Sequence, residues 1–223
     1  ASTVILRADN VYTPNNNIGI ITDIIDLENR NYAIKEAVQS GFLENTSFAI
    51  NILVDDTSNQ IINKIKNNST PLGEYCIDII EGIVAHKHLI SDEPAPNSFP
   101  LVEGKTIKRY YLEPTRKYIE WDLKNIHRKR PDYLWKNDKK ILIQRISGGL
   151  KPLVAALDTN RLKTFASVNN LVLKEAYNKY YNFFLAVINS DLINWYYSIN
   201  FSNQSDLTVN ISKTYLQIIP VKG

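Results

Sequence analysis

Short β-branched runs, each closed by Asn, Asp, Gly or Pro, dominate this 223-residue chain, and one stretch alone is long and striped enough for an extended helix. That pattern confines the fold to strands and helices that do not alternate regularly. It predicts an α+β architecture, with a mixed or antiparallel sheet and flanking helices. Residues 19–26 and 47–54 read as strands, with a helix over 31–41 that stops at Gly41 between them. Residues 56–67 predict a second helix, since Asp56, Thr57 and Ser58 supply a start and Ile61, Ile62 and Ile65 share one face. The polar turn Asn67-Asn-Ser-Thr-Pro71 marks the best boundary, giving domains 1–70 and 71–223. Beyond it, residues 73–85 read as strand, turn, strand, and 92–100, with three prolines, as a loop. Strands are predicted over 105–110, 117–122, 140–146, 153–157, 168–173 and 209–221. Arg128-Lys-Arg-Pro131 opens a helical element, and 177–199 form a long helix striped by Phe184, Val187, Ile188, Leu192 and Trp195.

Composition removes several classes. No apolar run reaches the roughly 18 residues of a membrane span; the closest, 183–199, is broken by Asn189, Ser190, Asp191 and Asn194. The first residues lack a signal-peptide layout. The lone cysteine, Cys76, permits neither an internal disulfide nor a zinc–thiolate site and suits a reducing cytoplasm. The sequence contains no methionine, which reads as a piece of a longer protein.

Charge is strongly segregated. Fourteen of the 26 Lys and Arg lie between Lys105 and Lys151 with only five acids, so this segment nets +9 while the remainder nets −6. Tyr110, Tyr111, Tyr118, Trp121, Tyr133, Trp135 and Gln144 are interleaved with those cations. Phosphates are drawn to such a face, and planar side chains among cations suit stacking on bases or reading their edges.

Five stretches carry a family resemblance. They are Leu72-Gly-Glu-Tyr-Cys-Ile-Asp-Ile-Ile-Glu-Gly-Ile-Val, Leu101-Val-Glu-Gly-Lys-Thr-Ile-Lys-Arg-Tyr110, Lys139-Lys-Ile-Leu-Ile-Gln-Arg-Ile146, Phe183-Phe-Leu-Ala-Val-Ile-Asn-Ser-Asp-Leu-Ile-Asn-Trp-Tyr-Tyr and Ile218-Ile-Pro-Val. In this order they resemble the C-terminal target-recognition domain of TaqI-like adenine-specific DNA methyltransferases and type IIG restriction–modification enzymes, over roughly residues 71–221. Neither Asn-Pro-Pro-Tyr nor Asp-Pro-Pro-Tyr occurs, the motif that holds a flipped adenine in that family's catalytic domain. A glycine-rich strand-to-helix turn for S-adenosylmethionine is missing too. The resemblance therefore implies a DNA reader without its own catalytic centre. Residues 1–70 would be the tail of the methyltransferase domain plus a connector. No cofactor is expected in this fragment, and S-adenosylmethionine is expected in the parent's catalytic domain. The implied partners are double-stranded DNA and the catalytic methyltransferase domain, with or without a nuclease domain, of the same polypeptide; no membrane is expected.

The candidate DNA contacts follow from chemistry. Lys105, Lys108, Arg109 and Tyr110 form a first cluster, with alternation placing Lys108 and Tyr110 opposite Arg109. Arg128, Lys129 and Arg130 suit phosphates, since three adjacent cations cannot all face one groove. Gln144 suits adenine and Arg145 guanine, and Ser147, Gly148 and Gly149 allow close backbone approach. Lys151 and Arg161 are further candidates, as are His86, Lys87 and His88 on a loop reaching DNA. His86 and His88 alternate to one side, and a zinc site would need His127 as well. Two acid-x-Lys patterns, Asp92 with Glu103-Gly-Lys105 and Asp132 with Asp138-Lys-Lys140, mimic a metal-dependent nuclease. Against these patterns, no catalytic residue and no metal ligand is expected. The preferred reading is a sequence-specific duplex-DNA recognition domain from a type II or IIG restriction–modification or phage-defence adenine methyltransferase. The alternatives are half of a type I specificity subunit, a metal-dependent nuclease domain, or a protein-interaction module with an incidental basic face.

Overall fold

The computed structural model describes residues 13, 16–20, 28–29, 35–40, 54, 56–122, 124–201 and 209–222. The chain divides into two units, residues 1–63 and 64–223. In the first, β1 (Asn17–Ile20) pairs antiparallel with β2 (Lys35–Val38), and helix α1 (Asp56–Lys66) runs across the division. The helix expected over 31–41 is thus a strand where it is described, because cross-strand pairing with β1 outweighs the helix propensity of Lys35, Glu36 and Ala37. The strand expected over 47–54 lies outside the described residues apart from Val54, and that over 19–26 apart from Gly19 and Ile20.

The second unit contains β3 (Thr70–Pro71), β4 (Cys76–Glu81), β5 (Ile90–Ser91), β6 (Ser98–Val102), β7 (Tyr118–Glu120), helix α2 (Tyr133–Lys136), β8 (Lys140–Gln144), β9 (Ile146–Ser147), β10 (Ala155–Asp158), β11 (Lys163–Thr164) and β12 (Val168–Leu173). Helices α3 (Tyr181–Asn189) and α4 (Asp191–Phe201), β13 (Val209–Asn210), α5 (Lys213–Gln217) and β14 (Pro220–Val221) complete it. An antiparallel sheet in the order β10-β8-β12-β4 forms the centre, and a second sheet is ordered β11-β6-β7-β5 with β11 and β6 parallel. The architecture is α+β.

Period-two alternation assigns the faces of the central sheet. Ile79, Ile141, Ile143, Leu171 and Leu173 pack with Phe184, Ile188, Ile193, Tyr197 and Leu216 from the helices. Val172 and Leu142 point to the other side, into apolar clusters with Leu101, Ile119 and Trp135 and with Val102, Ile107 and Ala156. With both faces covered, β8 and β12 are buried along nearly their whole length. Cys76 lies in this core; burial pushes its thiol up to about 12 and its Sγ donates to the Leu72 carbonyl at 3.2 Å, so thiolate chemistry is closed to it.

Four expectations fail for local reasons. Gly82 is no turn: the chain runs on to the Ile83–Phe165 bridge, and a Cβ at Gly82 would lie 2.2 Å from the Thr164 carbonyl oxygen. Residues 105–110 are no strand. Gly104–Thr106 form a 3-10 turn closed by Thr106 Oγ1 on the Glu103 carbonyl, and Tyr110 has φ +72°. The long helix breaks at Ser190, whose hydroxyl caps the next helix by accepting from the Ile193 N–H at 3.2 Å. The closing strand 209–221 is two short strands around α5, which Ser212 caps through the Tyr215 N–H.

Lys163 supplies a pH handle. Its ammonium lies 4.1 Å from the Trp121 ring, 5.0 Å from Trp135 and 5.1 Å from Phe99. Burial first, then Lys140, lowers it from 10.5 to about 8, with Asp132 opposing. The folded chain therefore sheds this proton before the unfolded chain does, and stability from this group rises as pH climbs from about 8 toward 10.5. The urea midpoint of wild type is expected to gain on Lys163→Met across that window; parallel profiles would refute the assignment.

Candidate nucleic-acid interface

The end of β8 organises the site. Alternation sends Gln144 to one face of the central sheet and Arg145 to the other. Gln144 lines a cleft of about 490 Å³ together with Glu103, Gly104, Lys105, Lys108, Ile146 and Ser167. Its floor is set by the 3-10 turn. The Gly104 N–H donates to Ser167 Oγ at 2.9 Å, and a Cβ on Gly104 would stand 2.7 Å from the Ser167 carbonyl oxygen, so only glycine brings the turn this close. Gln144 Nε2 donates to the Ile107 carbonyl at 2.7 Å, which orients the amide and points to its oxygen as the group left for a ligand. Lys105 pairs with Glu103 at 2.9 Å, and Lys108 with Glu113 at 3.6 Å. The cleft thus joins cations, a carboxylate and an oriented amide, a set suited to one base edge beside phosphates.

Arg145 belongs to a second group centred on Glu81 at the end of β4. One carboxylate meets Arg145 Nη2 at 3.1 Å, Arg128 Nη1 at 3.4 Å and Arg130 Nη2 at 3.5 Å. Arg145 also donates to the Ala166 carbonyl at 3.3 Å, and Arg130 Nε to the Gly82 carbonyl at 3.0 Å. The predicted base reader and two of the predicted phosphate anchors are therefore one knot, with Arg130 held inside and Arg128 outermost at 62% side-chain exposure. Lys129 beside them is exposed. Sequence reading missed Glu81; its signal was an acidic residue immediately before a glycine that cannot carry a side chain.

The histidines converge by backbone pairing. The Ala85–Ile126 bridge and the His127 N–H on the Val84 carbonyl, at 2.9 Å, bring the His127 ring to 4.1 Å from His86, which stacks on His88 at 5.4 Å. His86, Lys87, His88 and His127 are all exposed. Among the described residues, no three His, Cys, Asp or Glu side chains are arranged to hold a metal ion. Three carboxylates of the nuclease-like patterns pair outside them, Asp92 with Lys117, Asp132 with Lys136 and Asp138 with Arg161, while Glu103 pairs with the pattern's own Lys105.

Arg109 is a structural clamp, not a surface cation. It donates to the carbonyls of Lys151 at 2.6 Å, Leu153 at 2.8 Å and Asn189 at 3.3 Å. Lys151 pairs with Asp191 at 2.6 Å, and Ser147 lies in β9 against Val209. The linear charge excess is likewise moderated. Glu81, Asp92, Glu103, Asp158 and Asp191, all outside residues 105–151, fold back onto cations within it. The Lys140–Asp158 pair is buried, whereas exposed pairs such as Lys117–Asp92 and Lys151–Asp191 are weak, so phosphates can take over those cations.

The sequence matches the TaqI-like C-terminal specificity domain over residues 99–221. The chain belongs to this family. A comparison with curated proteins finds no match. The part matched as specificity domain contains the cleft, Arg109, Arg128, Arg130, Arg145, Lys151 and Arg161, while Glu81 and the His86–His88 stretch precede it. It also contains two buried asparagines, Asn189 at the end of α3 and Asn194 in α4. Among the described residues no helix is long and apolar enough to cross a membrane.

Proposed function

We propose that this specificity domain recognises double-stranded DNA for an adenine-specific methyltransferase of the type II or IIG restriction–modification kind, in a cytoplasmic phage-defence role. The observation that carries the reading is the family match over the stretch that holds the Gln144 cleft. Lys105, Lys108, Lys129, Arg128 and Lys151 position phosphates, Gln144 offers its amide to a base edge, and Arg145 and Arg130 stiffen the surface through Glu81. S-adenosylmethionine and the transferred methyl group belong to a catalytic methyltransferase domain of the same polypeptide. The present sequence has neither an Asn-Pro-Pro-Tyr motif nor a glycine-rich strand-to-helix turn, so no methyl-transfer step is assigned to its residues.

The test is anisotropy of a labelled duplex with the 223-residue chain from low to physiological salt. With roughly three to five phosphates neutralised, log affinity should fall against log salt with a slope of about −3 to −4.5. No binding at low salt, or binding indifferent to salt, would overturn the reading.

A further inference from the structure

The segment after the cleft turns back on itself. Ile107 bridges Leu112, the Lys108 N–H donates to the Tyr111 carbonyl at 2.9 Å, and the Glu113 N–H to the Thr106 carbonyl at 2.9 Å. Tyr110 and Tyr111 sit at the tip, 55% and 58% exposed. Neither ring belongs to any of the three apolar clusters. Tyr110 moreover has φ +72°, the left-handed region where a bulky aromatic residue is costly and glycine is not. None of these apolar clusters accounts for an aromatic there.

The backbone of the turn is held at its tip. Arg109 is locked onto three carbonyls, and the Tyr110 N–H donates to the Ala155 carbonyl of β10 at 2.8 Å. Lys105, Lys108 and Arg116 surround the tip in sequence, and the first two line the cleft. Two exposed aromatics on a rigid, strained turn among cations match a surface that is anionic and stacked.

We infer that the Tyr110–Tyr111 turn is a stacking wedge that enters duplex DNA at an opened base step while the cleft lies along the adjoining groove. The inference rests on the DNA-recognition reading and adds to it. Inserted side chains replace the base stacking lost when a step opens, and this costs least where the step is already disrupted.

Anisotropy with a fully paired duplex and with the same duplex carrying one abasic site reads this directly. Wild type is expected to bind the abasic duplex about tenfold more tightly. That ratio should fall to about one in Tyr110→Gly and Tyr111→Ala, and persist in Tyr111→Phe, which keeps the ring. Lys108→Ala should weaken both duplexes alike and leave the ratio unchanged. Tyr110→Gly should melt no lower than wild type, since it relieves the backbone, so loss of the ratio cannot be ascribed to unfolding. Equal binding of both duplexes by wild type, or a ratio that survives removal of both rings, overturns the wedge while leaving DNA recognition intact. Failure to bind either duplex overturns the recognition reading itself.

Discussion

Asp158→Ala is expected to cost about 3–5 kcal/mol of stability, because it strands a buried cation. Lys140 Nζ lies 2.7 Å from the Asp158 carboxylate, and both side chains are fully buried. Asp158 also accepts the N–H groups of Asn160 at 2.8 Å and Leu162 at 2.9 Å, so one carboxylate closes the turn and neutralises the lysine. Burial already lowers the Lys140 pKa, and Asp158 is what opposes it. Without Asp158 the ammonium gives up its proton more readily in the folded chain than in the unfolded one. The deficit of Asp158→Ala should therefore shrink as pH rises. Lys140→Met combined with Asp158→Leu should recover much of the loss, since removing both charges leaves none unpaired. Urea unfolding with an unchanged m-value measures this; an Asp158→Ala loss under about 1 kcal/mol would show that water reaches the pair.

Asn189→Ala is expected to cost about 1–3 kcal/mol, because it leaves the buried Ala155 N–H without its acceptor, while the Ala155 carbonyl keeps the Tyr110 N–H. Asn189 Nδ2 donates to the Ala155 carbonyl at 2.9 Å and its Oδ1 accepts the Ala155 N–H at 3.0 Å. The side chain thereby pairs with β10 as a neighbouring strand would, on the edge of the central sheet. Asn194 continues the seam: Oδ1 accepts the Leu153 N–H at 2.8 Å, and Nδ2 donates to the Ile188 and Ser190 carbonyls at 3.2 and 3.0 Å. Since Arg109 holds the Asn189 and Leu153 carbonyls and Tyr110 leans on Ala155, the variant should also loosen the exposed turn. Thermal unfolding gives the first effect, and loss of preference for the abasic duplex the second. A variant as stable as wild type would mean that water replaces the amide.

The strands over residues 140–144 and 168–173 were legible because β-branched and apolar residues run unbroken between turn formers, and a doubly covered strand needs little else. The helix over 56–66 was legible from its start signal and isoleucine face. Helix 177–199 was half legible. Its stripe marks the buried side only up to the break, through Phe184 and Ile188; beyond Ser190 the helical phase resets, so Leu192 is 52% exposed while Ile193 and Tyr197 are buried, and nothing local shows that Asn189-Ser190-Asp191 is a cap with an edge-strand partner. Residues 105–110 misled because alternation of side chains is shared by a strand and by a folded-back turn.

Local chemistry, then, sufficed for the α+β class, the family and the basic segment, since propensity, burial period and motif order are properties of neighbouring residues. Which cations are left for a ligand was decided in three dimensions. Glu81 precedes Arg145 by more than sixty positions yet shares its carboxylate with three arginines. Arg109 looked like a surface cation and is bound inside by carbonyls up to 80 residues away. Charge acts through space, and only the folded backbone sets which opposite charges lie within a few ångströms.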